Sequence, residues 1–252
     1  MLRQFEFKFE RIEQEILHEG KKLTFVLPTR IQGTYAEVKK DIENQGLRTP
    51  TFAEMVSLVD FFITKRYSKN NPKYFKDFEK EYTNSLLGFT GILYLPRGQG
   101  NYHNGVIIQD NPPLIEGRII MNKPDLLQKL EKGDKSTRFV PYGYKTYDYD
   151  LRKGIGLEKH PLIVGIAGEE GAEKLAKISK RYGDGDSSGV EVLALDGEKQ
   201  NKEEICYTSI RENETEHNQN NPWYSYDFVI NCLEYQDLKW PTLGAAPGIK
   251  II

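Results

Sequence analysis

Cysteine is nearly absent: the 252-residue chain has two, Cys206 and Cys232. With no C-x-x-C spacing between them, they exclude a disulfide-dense scaffold and a zinc ribbon. Histidine is scarce as well. His18, His103, His160 and His217 have no second histidine or cysteine at metal-ligand spacing, and no H-E-x-x-H occurs. Positive charge is not in excess, since 35 Lys and Arg face 37 Asp and Glu. No overall field therefore draws the chain onto a polyanion. No apolar run approaches the ~20 residues of a membrane helix. The N-terminus, MLRQFEFKFERIEQEI, alternates phenylalanine with charge and lacks the continuous apolar core of a signal peptide or anchor. P-loop, G-x-S-x-G and kinase signatures are missing too. These absences point to a cytoplasmic protein with no membrane contact and no resident cofactor.

What is present is aromatic. Fifteen tyrosines and 12 phenylalanines supply the core that leucine supplies elsewhere. Hydrophobic residues make up 38% and charged residues 29%, a polar but globular balance. The length suits one large domain or two small ones.

Along the chain, Phe5, Phe7 and Phe9 alternate with charge as a strand does. Ile12, Ile16 and Leu17 fit a short helical turn before Gly20. Leu23 to Leu27 reads as a strand stopped by Pro28. Thr34 with Glu37 spells a capping box, and Gly46 sits where a helix-terminating glycine belongs, so a helix is expected from Tyr35 to Gln45. Thr51 with Glu54 repeats the spelling, and Asn71-Pro72 opens a further helix. Residues 51–88 thus read as a helical hairpin. Strands follow at Gly91 to Leu95, Gly105 to Gln109 and Arg118 to Met121. A short helix runs from Pro124 to Leu130 and Gly133 closes it. Thr137 to Tyr144, Ile205 to Ile210 and Ser225 to Leu233 are further strands. The tail, WPTLGAAPGIKII, has no periodicity; it is either docked on the body or used as a partner segment.

The stretch from Lys159 to Glu198 organises the reading. An apolar strand (Pro161 to Ala167) meets a glycine turn, then an amphipathic helix, an acidic loop and a second strand (Val190 to Leu195). Gly165, Gly168 and Gly171 mark the turn as a candidate ligand site, because a strand–glycine–helix junction presents free backbone N–H groups. Asp196 stands at the offset of a ribose contact. Against a phosphate stand Glu169, Glu170 and Glu173 in the first turn, which already complement the helix dipole. Asp184, Asp186 and Ser188 match the first half of a calcium loop. The closing glutamate is missing, since Leu195 occupies its place, and a solvated turn is the plainer reading.

His103 lies in the polar loop RGQGNYHN, where scaffold proteins often carry function. Tyr142 and Tyr144, with Tyr147 and Tyr149, form a cluster that would stack a ligand if exposed and fill the sheet core if buried. Basic and aromatic residues interleave over 61–82, which is the sequence argument for RNA or DNA contact. Asp77, Glu79 and Glu81 dilute it toward two solvated helix faces.

The fold expected is α+β: a mixed sheet with a packed helical hairpin and one βαβ-like crossover. The chain reads as one domain over 1–252, with lobes 1–111 and 112–252 as the alternative. The leading functional expectation is a non-enzymatic cytoplasmic binding or interaction protein, taking a protein partner or a small ligand. The first alternative is a nucleotide- or small-molecule-dependent enzyme with its site at Gly165–Gly171. A nucleic-acid protein using the hairpin is the second, and the net charge disfavours it.

Overall fold

The computed structural model describes residues 11–66, 86–95, 102–103, 105–141, 156–182, 203–215, 223–232 and 244–251. The first half of the chain gives β1 (Ile12–His18), β2 (Lys21–Gly33), α1 (Tyr35–Asn44), β3 (Leu47–Arg48), α2 (Phe52–Arg66), β4 (Leu86–Leu95) and β5 (Gly105–Asp110). There follow β6 (Leu114–Ile115), β7 (Arg118–Ile119), α3 (Lys123–Glu131), β8 (Thr137–Pro141) and α4 (Pro161–Tyr182). The chain ends with β9 (Glu204–Thr215), β10 (Trp223–Cys232) and β11 (Gly244–Lys250). Among the described residues, nine strands join one mixed sheet and β6 pairs with β7 apart from it. The fold is α+β, as the patterns indicate.

Local signals fix the helix starts. Thr34 and Glu37 exchange the two bonds of a capping box, at 3.3 and 2.9 Å. Thr51 and Glu54 do the same at 3.3 and 2.8 Å, and Arg48 clamps the Glu54 carboxylate with two bonds of 2.9 and 2.6 Å. Asn122 caps α3 by accepting from the Asp125 amide. Gly46 and Gly133 follow their helices in the left-handed region.

Several local expectations are corrected. Ile12 to Leu17 is strand, not a helical turn: Ile12, Gln14, Ile16 and His18 point inward while Glu13, Glu15 and Leu17 are exposed, which is a period of two. Leu86 to Gly88 belong to β4, so the second helix of the expected hairpin does not extend there; the rest of that helix lies outside the described residues. Pro161 to Ala167 is helix, not the first strand of a crossover. A short unbroken apolar run fits a buried strand or a buried helix equally, and Pro161 at the first helical position decides it. The second strand of that crossover, Val190 to Leu195, lies outside the described residues.

β1 and β2 form a hairpin paired from Ile12–Leu27 to His18–Lys21. Its two-residue turn, Glu19 and Gly20, has positive φ at both positions, the geometry that matches strand twist. β11 lies between β2 and the start of β4, parallel to the latter at Ala245–Leu86. Pro28 does not end β2, because it falls where the β2–β11 register is irregular. Between the pairs Ala246–Arg30 and Gly248–Val26 that irregular gap also takes in Pro247, so neither proline interrupts a regular ladder.

Beyond these strands, β4 pairs with β9 and with β5, and β10 and β8 follow outside them. The helices cover both faces. One core layer packs α2 and α4 on Leu86, Ile92, Tyr94, Val106, Ile108 and Cys206. The other packs α1 and α3 on Leu87, Phe89, Leu93, Leu95, Ile107 and Tyr207. Every residue of β4 is buried, as a sheet covered on both sides requires.

At the centre β4 bulges. From Gly88 to Gly91 it advances three residues while β9 advances one, Thr208 to Tyr207. The two extra residues preserve the alternation of faces. The Phe89 backbone leaves the ladder, donating to Pro50 O at 2.9 Å and accepting from Asn111 N at 2.7 Å. The Thr208 hydroxyl takes up Gly88 O at 3.1 Å. Gly88 is needed here because a Cβ would meet Phe52 Cα at 2.8 Å, so α2 starts directly on the bulge.

Candidate functional site

The glycine stretch singled out in the sequence lies along α4. Two helical segments meet at Gly168, whose φ of 71° and ψ of 171° are non-helical, a region open essentially to glycine. Such a break frees the last carbonyls of one segment and the first amides of the next. Arg138 takes the carbonyls: its Nε donates to Gly165 O and its NH2 to Ile166 O at 3.3 Å. The same guanidinium holds Asp110 at 2.7 and 3.2 Å. Asp110 accepts in turn from Thr90 Oγ1, which itself accepts the Phe52 amide. Gly165 lets the first segment press on the sheet, since a Cβ there would collide with Val140 and lie 2.9 Å from Ile108 Cδ1. Gly171 packs beside Ala167 and Ala53.

On the second segment Glu170 and Lys174, one turn apart, pair with each other, and each reaches a different element. Glu170 Oε2 accepts the Glu19 amide at 2.8 Å, tying down the β1–β2 turn. Lys174 Nζ donates to Ser57 Oγ at 2.9 Å. Ser57, on α2 and only 2% exposed, is also 2.9 Å from His18 Nδ1 and 3.4 Å from Ala53 O. A hydroxyl, an imidazole, an ammonium and a carboxylate thus converge from β1, α2 and α4.

Charge states follow from the contacts. The hydrogen bond from Lys174 is the main reason the Glu170 carboxyl is held below the usual range, with partial burial opposing it and the Lys174 charge, the Glu19 amide and His18 helping. Glu170 is therefore a carboxylate and Lys174 its ammonium partner. Because the ammonium donates to Ser57 Oγ, the serine proton points elsewhere. His18 Nδ1 at 2.9 Å is the better acceptor than Ala53 O at 3.4 Å. The roles in the His18–Ser57 contact depend on the tautomer: with the imidazole proton on Nε2, Nδ1 can accept the serine proton. This arrangement can move a proton off a serine hydroxyl.

Comparison with protein-family models, with curated protein sequences and with solved structures finds no match.

The other sequence candidates fall apart from this cluster or outside the description. His103 is half-buried and its Nδ1 has no hydrogen-bond partner among the described residues; its neighbour Tyr102 stacks edge-on against Phe139 at 5.2 Å. Asp196, Tyr142, Tyr144, Asp184, Asp186 and Ser188 lie outside the described residues, as do positions 67–82 of the basic–aromatic segment. Within α2, Lys65 sits over the Phe61 ring at 5.8 Å. Among the described residues no group of three His, Cys, Asp or Glu side chains could hold a metal ion, and no helix is long and apolar enough to cross a membrane.

Sequence reading missed Ser57, His18 and Lys174. The Glu170–Lys174 spacing of four was legible as a helical pair. His18 would have followed from taking Glu19-Gly20 as a hairpin turn. Ser57 carries no local signal, being a mid-helix serine.

Proposed function

We propose that the protein is an enzyme of the nucleophilic acyl-transfer class, with its site beside the Gly168 break. Ser57 is the nucleophile, His18 its general base, Lys174 the positive charge that stabilises the developing alkoxide, and Glu170 the residue that positions Lys174. A single observation carries this reading. Ser57 Oγ stands 2.9 Å from both His18 Nδ1 and Lys174 Nζ, groups 39 and 117 positions away in the chain. A nucleophile within reach of a base that is itself held in place is the geometric mark of this chemistry. We favour it over a binding protein without catalysis on two observations. The fold assembles a constellation that no short motif announces, and the apolar tail is a strand of the sheet.

Glu19, Glu169, Glu170 and Glu173 surround the helix start, and they favour an uncharged ester, thioester or amide over a phosphate. Ser57 attacks the carbonyl carbon, its proton passes to His18 Nδ1, and the protonated imidazole then delivers it to the leaving group. Ser57 is buried, so substrate access requires movement of the Glu19–Gly20 turn, which is tied to Glu170 by the Glu19 amide and to Ser57 by His18.

A fluorophosphonate probe tests this. Ser57 Oγ bonds to phosphorus, the P–F bond breaks, fluoride leaves and the hydroxyl proton goes to His18. Covalent labelling mapped to Ser57, absent in Ser57→Ala and slowed about 10²–10⁴-fold in His18→Ala, is the expected result. No adduct on the folded wild-type protein, or an adduct retained in Ser57→Ala, sinks the assignment.

A further inference from the structure

The chain's two cysteines are separated by no recognisable motif, yet they are register partners. In the antiparallel ladder of β9 and β10, Cys232 is paired with Cys206, the last pair of that ladder among the described residues. Directly opposed residues of antiparallel strands have Cα atoms about 4.5 or 5.5 Å apart, depending on the hydrogen-bonding type of the pair. Both separations fall within the roughly 4.4–6.8 Å that disulfides span, and opposed residues belong to the same face of a sheet. Cys206 is fully buried, with Ile92 of β4 as its partner on its other side.

We propose that Cys206 and Cys232 form a redox-active pair that closes into an intramolecular cross-strand disulfide. The oxidant is a small-molecule disulfide such as oxidised glutathione. One cysteine thiolate attacks it, forming a mixed disulfide and releasing one glutathione thiol. The second cysteine thiolate then attacks the protein sulfur, the Cys206–Cys232 bond forms and the second glutathione leaves. The protein loses two electrons and two protons, and oxidised glutathione gains them as two thiols. The bond closes the loop from 206 to 232 and fastens β10 to the sheet, restricting the unfolded chain more than the folded one. The proposal is independent of any role for Ser57.

The test refolds the full-length reduced protein in a glutathione buffer with the oxidised form in excess, so that burial of Cys206 does not limit access. Thiols are then titrated under denaturing conditions, and a non-reducing digest is mapped by mass spectrometry. The expected product is a monomer with no titratable thiol and a Cys206–Cys232 cross-linked peptide. Its thermal midpoint should rise by roughly 5–10 °C, a shift reversed by dithiothreitol and absent in Cys232→Ser. Two titratable thiols, stable glutathione adducts on both cysteines, or a disulfide-linked dimer would each overturn the proposal.

Discussion

The Tyr35 hydroxyl is buried without a hydrogen-bond partner among the described residues, while its ring lies 4.6 Å from that of Phe89 and 5.3 Å from that of Tyr207. Burial, with Tyr207 and Asp110 adding to it, holds the phenol well above its ordinary titration range. The ring contributes packing and the oxygen contributes an unanswered desolvation cost, so the two parts of the side chain act in opposite directions. Tyr35→Phe keeps the ring and removes the cost. It should stabilise the protein by about 1 kcal/mol, measured as a higher denaturation midpoint at unchanged slope. A loss of stability would mean that the hydroxyl is bonded in solution. Ser57 is the contrasting residue, since its oxygen lies within hydrogen-bonding distance of three groups. Sequence placed Tyr35 at the start of a helix through the Thr34 cap. It was silent on what the hydroxyl meets, because Phe89 and Tyr207 arrive from strands far along the chain.

At the scale of elements, α4 and the β1–β2 hairpin are joined through Glu170. Its carboxyl titrates below the usual range, chiefly through the Lys174 hydrogen bond. A depressed carboxylate adds stability that is present above its unfolded-state value and lost as pH falls through the lower folded-state value. The Glu19–Glu170 tie should therefore persist in mild acid, where an ordinary exposed carboxylate is already protonated. It should release only at still lower pH, while Glu170→Gln weakens it above that point and removes its dependence on pH. Amide exchange at Glu19 followed from neutral to acid pH measures this. Protection lost in step with ordinary exposed carboxylates would contradict it. The elements themselves were unequally legible. Capping boxes announced α1 and α2, because the groups that satisfy a helix start are a few residues apart. Pro161 to Ala167 was not resolved by pattern, since a segment buried all round shows no polar face to give its period.

Across the whole molecule, the C-terminal segment is an interior strand. Ala245, Ala246 and Ile249 are buried to within 2%, and β11 pairs with β2, β3 and β4. A Cβ at Gly248 would meet Leu47 Cβ at 2.8 Å, so small residues are required where neighbouring chain comes this close. Removing residues 244–252 would strip β2 and β4 of a shared partner. It forfeits several ladder hydrogen bonds at roughly 0.5–1.5 kcal/mol each and apolar burial of similar total size. Those losses together rival a domain's entire stability of about 5–15 kcal/mol. The truncated chain should lack a cooperative thermal transition by circular dichroism. An intact transition at the wild-type midpoint would show that β11 is dispensable.

The sequence by itself determined the α+β class, the starts of α1, α2 and α3 and stretches of β2, β4, β5, β8, β9 and β10. Each of these is written in short-range periodicity or in capping groups a few residues apart. Tertiary structure decided where the tail goes, since GAAPG carries no alternation and gains its meaning only from the strands beside it. It also decided what the glycine stretch is for. That stretch became a break in a helix whose second segment carries Lys174 to Ser57 and His18. The same long-range pairing made register partners of Cys206 and Cys232. Such meetings depend on which distant surfaces bury one another, and no local pattern records that.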